Sequence, residues 1–179
     1  MLGFEINTAE LARIADEFYA SESAVQLARS RALHKTALYI TRLVKSGLLG
    51  ELQLSNAKAL RTRLKSLKGD GASAGLWIGA NAIEICRFRG KPRTSARGVS
   101  FRSQDFAGSF MARMPSGHTS VYHRSRKRRL PVEEQALPVH EAIAAFTETK
   151  AVPEISSVFY RYFSDEIRMR TVYGPKGRG

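Results

Sequence analysis

The period of the apolar positions changes twice along this chain, from helical to strand-like and back to helical. Residues 7–68 carry the first helical pattern. Asn7 or Thr8 can cap a short first helix, with Glu10 in its opening turn. A longer helix is predicted over about residues 23–45. Leu33, Ala37, Ile40 and Val44 share one face of it, and Arg29, Arg31, Lys35, Arg42 and Lys45 lie mostly off that stripe. Gly47 and Gly50 suit its end. A third, basic helix is predicted over about residues 55–67, starting at Ser55. Gly69, Asp70 and Gly71 then open a small-residue stretch that reads as a flexible connection as far as Gly75.

From about residue 75 to 135 short β-like runs alternate with turn residues. Residues 76–79, 82–86 and 98–101 read as strands. Residues 109–113 and 119–123 flank Met114-Pro115-Ser116-Gly117, where proline second and glycine fourth favour a type I turn, so 108–124 reads as a β-hairpin. Residues 130–133 can form a further strand, which Pro131 confines to a sheet edge or to the strand's start. The basic loop 87–97 is long for a connection inside a folded domain. Helix returns at 140–146, and again after Pro153, where Ile155, Val158, Phe159, Tyr162, Phe163 and Ile167 form a wide apolar stripe. The last residues, 174–179, read as a mobile tail.

These patterns predict a single α+β domain. An antiparallel sheet of about four or five strands is expected over residues 75–135, packed by the long N-terminal helix and the C-terminal helix. Trp77, Phe101, Phe106 and Phe110 are expected in the core. The chain has 179 residues, 43% of them hydrophobic, which suffices for one core. No apolar run is long enough to span a membrane, and the N-terminus lacks the order of a signal peptide. The single cysteine, Cys86, excludes a disulfide framework and reads as a structural thiol in a strand. Use in a reducing cytoplasm, or release from one, is expected.

Charge changes the picture most. Residues 87–129 hold twelve Lys or Arg against one acid, Asp105, which is +11 of the chain's net +13. Like charge at that density repels itself, so an acidic counterpart is expected. The search for chemistry finds no catalytic set. His118 and His123 stand five apart around the hairpin turn, and no Cys, Asp or Glu of the same hairpin completes a metal site. His34 and His140 read as surface or packing residues. Adjacent Glu133 and Glu134 point to opposite faces of a strand; Glu133 suits the neighbouring arginines. There is no glycine-rich phosphate cradle and no nucleophile elbow. No enzymatic activity, cofactor or metal is therefore expected. The basic stretch itself fits a solvated face, a nucleic-acid-binding surface or a protein interface. Its Arg124–Arg129 run also has the look of a nuclear localisation signal.

An ordered set of motifs favours the interface. Leu76-Trp77-Ile78-Gly79 comes first, then Arg97-Gly98-Val99-Ser100-Phe101. The run from Phe106 to His118 follows, and then Arg129-Leu130-Pro131-Val132-Glu133-Glu134. With two basic helices upstream, this succession resembles the phage minor tail protein Z family, the tail-completion proteins of long-tailed phages. The likeness covers about residues 20–170; residues 135–138 and the first twenty depart from the pattern. The resemblance implies a structural virion protein of the tail or neck, assembled in the host cytoplasm. It would complete the tail tube and help join it to the head. A homo-hexameric ring is implied, with adjacent tail-tube, tail-terminator or neck proteins as partners and non-specific contact with genomic DNA in a lumen. The candidate interface or DNA-facing residues are Arg93, Arg97, Arg102, Arg113, Arg124, Arg126, Arg128 and Arg129. The alternative reading is a free-standing, non-sequence-specific nucleic-acid-binding protein.

Overall fold

The computed structural model describes residues 6–68, 73–115, 117–125 and 130–172. The expected connection at 69–72, the basic run 126–129 and the tail 173–179 lie outside these residues, as does Ser116 of the hairpin turn. The chain is mixed α+β with small antiparallel sheets, and it packs as two compact units. One comprises Met1–Ser46, Thr62–Gly79 and Ala145–Gly179; the other comprises Gly47–Arg61 and Ala80–Ala144.

The first unit is mainly helical. Helix α1 (Thr8–Glu17) starts at Asn7, whose side chain accepts the N–H groups of Ala9 and Glu10. The Asn7 backbone N–H donates to the Tyr160 hydroxyl at 2.9 Å. Helix α2 (Glu22–Glu51) contributes its first 25 residues to this unit. Helix α5 (Val152–Thr171) has proline in its first turn and follows a π-helical turn, Thr147–Ala151. Leu11 and Ile14 of α1, Ala28, Ala32 and Leu33 of α2, and Phe159, Phe163 and Ile167 of α5 make the core. The small Ala28 and Ala32 leave room for large rings, and Phe159 and Phe163 stack with centroids 6.1 Å apart.

Two helical expectations need correction. Helix α2 does not stop at Gly47 but runs on through Gly50. Leu48 is fully buried there. Burying a leucine stabilises by about 1.5–3 kcal/mol, which offsets the roughly 2 kcal/mol that two helical glycines cost. The expected third helix shrinks to one turn, α3 (Lys58–Arg61). Strand β1 (Leu64–Lys68) takes over, pairing antiparallel with β2 (Ala74–Ile78). The partner strand decides this, because the local pattern around Lys65 and Lys68 suits either state.

The second unit holds the remaining strands. Strand β3 (Ile83–Glu84) leads into a 3-10 turn, Ile85–Arg87, where a strand through Cys86 was expected. Strands β4 (Arg93–Ser95), β5 (Gly98–Phe101) and β6 (Gln104–Ala107) form one antiparallel sheet, so part of the expected loop 87–97 is strand. Strands β7 (Ser109–Arg113), β8 (Thr119–Arg124) and β9 (Val132–Glu134) form another, and β10 (Ala136–Leu137) pairs with β3. The hairpin and the edge strand after Pro131 stand as expected; Gly117 N–H closes the turn on Met114 O at 2.9 Å.

The single sheet of four or five strands is not formed. These strands are two to six residues long. Glycines with positive φ turn the chain between them. Gly98 (φ +142°) sits where a Cβ would come within 2.2 Å of Phe106 O, and Gly108 (φ +68°) separates β6 from β7. The Ser109 hydroxyl ties the corner, accepting Val99 N–H and donating to Phe106 O. Helix α4 (His140–Phe146) begins within this unit, with Ile143 buried.

Candidate functional site

The structure separates the five candidate arginines that it describes. Arg93 opens the exposed edge strand β4, and Arg97 stands in the turn that follows it. Beside them Ser95, Arg97, Val99, Asp105 and Phe106 line a depression of about 280 Å³. Arg113 closes β7 at the turn end of the hairpin, and Arg124 closes β8 at the other end, its guanidinium 5.0 Å from the Phe110 ring centre. All four are exposed, and among the described residues none has a carboxylate within ion-pair distance. Arg126, Arg128 and Arg129 lie outside the described residues.

Arg102 differs from these. Its guanidinium donates to Leu52 O at 3.1 Å and covers Phe88 and Phe101, 4.8 and 5.5 Å from the ring centres. It holds its own unit together, and its backbone adopts φ +56°. Arg89 acts likewise, donating to Leu54 O at 3.1 Å. Among the aromatics expected in the core, Phe101 is buried and Phe106 and Phe110 are half-buried. Trp77 is not core: it is 41% exposed, with Lys65 Nζ 5.5 Å from its ring centre. Its strand belongs to a two-stranded sheet whose outer face is uncovered at that position.

The second unit also assembles a polar cluster that spacing along the chain did not disclose. Side chains two apart on a strand share a face, so His118, Ser120 and Tyr122 point the same way while His123 points the other. The two histidines therefore cannot share a ligand. Strand β9 places Glu134 opposite Tyr122. On its other side β10 pairs Ala136 with Glu84; continued two residues, that register puts Cys86 opposite Glu134. The Ile85 N–H donating to Gln135 O at 3.1 Å extends the pairing in this direction. Three distant segments thus bring Cys86, His118 and Glu134 together, with their ligand atoms within 4.8 Å of one another. The expected lack of a Cys or acid beside His118 holds only within the hairpin, because cross-strand register brings both in from outside it.

Glu134 is the centre of this cluster. His118 Nε2 lies 2.8 Å from Glu134 Oε1. Burial alone would raise the carboxyl, but Ser120, His118 and Cys86 together hold it below its ordinary value. The Cys86 thiol moves the other way, to about 11, because burial and the Glu134 carboxylate both disfavour a thiolate; Arg87 and Ser120 oppose them. A thiol so protonated is not a nucleophile at neutral pH. Tyr122 is raised by burial and by Glu134. The Ser120 hydroxyl, 2% exposed, influences both Glu134 and Cys86 yet makes no hydrogen bond of good geometry among the described residues.

Among the described residues the first unit has one buried charge, Glu166, held by Lys35 Nζ at 2.6 Å, Arg170 at 3.3 Å and Arg31 at 3.8 Å. Its partners lie within the same unit, so it serves the fold. Among the described residues, no helix is long and apolar enough to cross a membrane. Comparison with protein families, with curated proteins and with solved structures finds no match for this chain.

Proposed function

We propose that this chain is a structural protein of a phage tail or neck, which completes the tail tube and helps join it to the head. The observation that carries the reading is the set of exposed arginines, Arg93, Arg97, Arg113 and Arg124, on short strands and a turn of one unit, none with a carboxylate partner among the described residues. Among the described residues no carboxylate answers them, so an external acidic surface is their natural complement. Arginine's fork suits carboxylates on a neighbouring protein, and the open edges of β4 and β7 offer backbone groups for strand addition beside those charges. The ordered resemblance supplies the class of partner: further copies in a closed sixfold ring, and adjacent tail-tube, tail-terminator or neck proteins. Each contact is weak alone, and a ring multiplies it. Arginines facing a lumen would touch passing DNA without reading its sequence.

The test combines Arg93→Glu, Arg97→Glu, Arg113→Glu and Arg124→Glu in one chain and asks it to complement a phage lacking the gene. The expected result is a folded variant, with an unchanged melting curve, that leaves tails unjoined to heads. Normal joining by the variant would refute the reading. The wild-type chain should bind random duplex DNA weakly. Tight binding with a steep salt dependence would move the function to nucleic-acid binding instead.

A further inference from the structure

The geometry points to a metal site in the second unit: Cys86 Sγ, His118 Nε2 and a Glu134 carboxylate oxygen together hold a zinc ion, with Ser120 beside the remaining coordination position. Thiolate, imidazole and carboxylate are the three donor types that zinc takes, at about 2.0–2.3 Å each. Tetrahedral ligands at that range stand roughly 3.3–3.8 Å apart. The three atoms here already lie within 4.8 Å of one another, with the His118–Glu134 pair at 2.8 Å. Side-chain rotations of order an ångström, which open that pair and draw in the sulfur, complete the set.

Two further observations favour a ligand over a self-contained hydrogen-bond group. The Ser120 hydroxyl is buried against the cluster and, among the described residues, has no partner of good geometry, a position a metal-bound water would satisfy. The charges also balance. Glu134 and a Cys86 thiolate together carry two negative charges, which match a divalent ion inside a unit that is otherwise strongly basic. On binding, the Cys86 proton leaves for solvent as the S–Zn bond forms, and His118 carries its remaining proton on Nδ1. The sulfur ligand discriminates against magnesium and calcium. The ion would clip together the 3-10 turn Ile85–Arg87, the start of β8 and β9, segments far apart in the chain. Three protein ligands leave one position for water or for a donor from a neighbouring protein.

The full-length chain, stripped with chelator, should take up zinc stoichiometrically by calorimetry and melt at a higher temperature with it. Cobalt in place of zinc should give a tetrahedral visible spectrum with a thiolate-to-cobalt charge-transfer band. Cys86→Ser should abolish that band and weaken zinc binding by at least about tenfold, and His118→Gln should weaken it similarly. Magnesium should not compete. Absence of zinc uptake, an octahedral cobalt spectrum without the charge-transfer band, or equal binding of magnesium would overturn the site. The wild-type spectrum decides the matter even if a variant fails to fold. If both variants fold and bind zinc as the wild type does, the site is also refuted.

Discussion

Replacing Glu166 by glutamine isolates the buried charge of the helical unit. Glu166 is 7% exposed, and three cations converge on it at 2.6, 3.3 and 3.8 Å. Glutamine keeps the volume but removes the negative charge and turns an amide donor toward other donors. Removing one partner of a fully buried pair costs about 3–5 kcal/mol. Here Lys35 and Arg31 are 48% and 65% exposed and can turn toward water, so about 2–3 kcal/mol is expected. At about 2–4 °C per kcal/mol for a chain of this size, the melting temperature should fall by about 4–12 °C. The pH dependence gives a second readout. Burial raises the Glu166 carboxyl, but the Lys35 hydrogen bond and the charges of Lys35, Arg170 and Arg31 outweigh it, leaving the group below its ordinary 4.5. A depressed carboxylate contributes stability above its unfolded value and loses it as pH falls through the folded one. The gap between wild type and Glu166→Gln should therefore be full near neutrality and shrink as the solution is acidified below the ordinary carboxylate range. Thermal and urea melts across pH measure it. A variant as stable as wild type at neutral pH, or a gap that persists unchanged in strong acid, would refute the reasoning.

Three further outcomes follow from the second unit. Gly98→Ala should destabilise it by more than about 2 kcal/mol, since φ +142° and the Phe106 carbonyl leave no room for a Cβ; hydrogen exchange in β4–β6 measures this. Arg102→Ala should cost about 1–2 kcal/mol in a urea melt, from the lost Leu52 hydrogen bond and the uncovered Phe88 and Phe101 rings. Arg113→Ala, by contrast, should stay within about 0.5 kcal/mol of wild type in the same melt while weakening the proposed assembly, because it has no carboxylate partner among the described residues.

Local chemistry made parts of the fold legible. Asn7 capped its helix, the Met114–Gly117 turn joined its two strands, and Pro131 preceded an edge strand. The helical stripe from Ile155 to Ile167 was legible as well, because Phe159, Phe163 and Ile167 all face the core. What could not be read depends on partners distant in sequence. Leu64–Lys68 becomes a strand because β2 lies beside it, and α2 passes Gly47 and Gly50 because Leu48 is buried. One continuous sheet was the wrong expectation because positive-φ glycines and the Ser109 corner break the strands into separate ladders. The charge run located the arginines but could not tell Arg102, exposed yet laid over two rings and bonded to Leu52 O, from Arg113, which has no carboxylate partner among the described residues. Glu166 and Arg170, four apart on one helix, did carry a readable signal. The Cys86–His118–Glu134 cluster carried none, since strand register and not spacing creates it.

The central claim is that the exposed arginines of the second unit dock onto acidic protein surfaces in a viral particle. Electron cryomicroscopy of head–tail junctions in phage particles assembled together with this chain tests that proposal directly. The account predicts a ring of this chain with Arg93, Arg97, Arg113 and Arg124 against carboxylates of a neighbouring subunit or ring. A junction built without the chain, or a ring whose β4–β6 and β7–β9 sheets touch no protein, would contradict it.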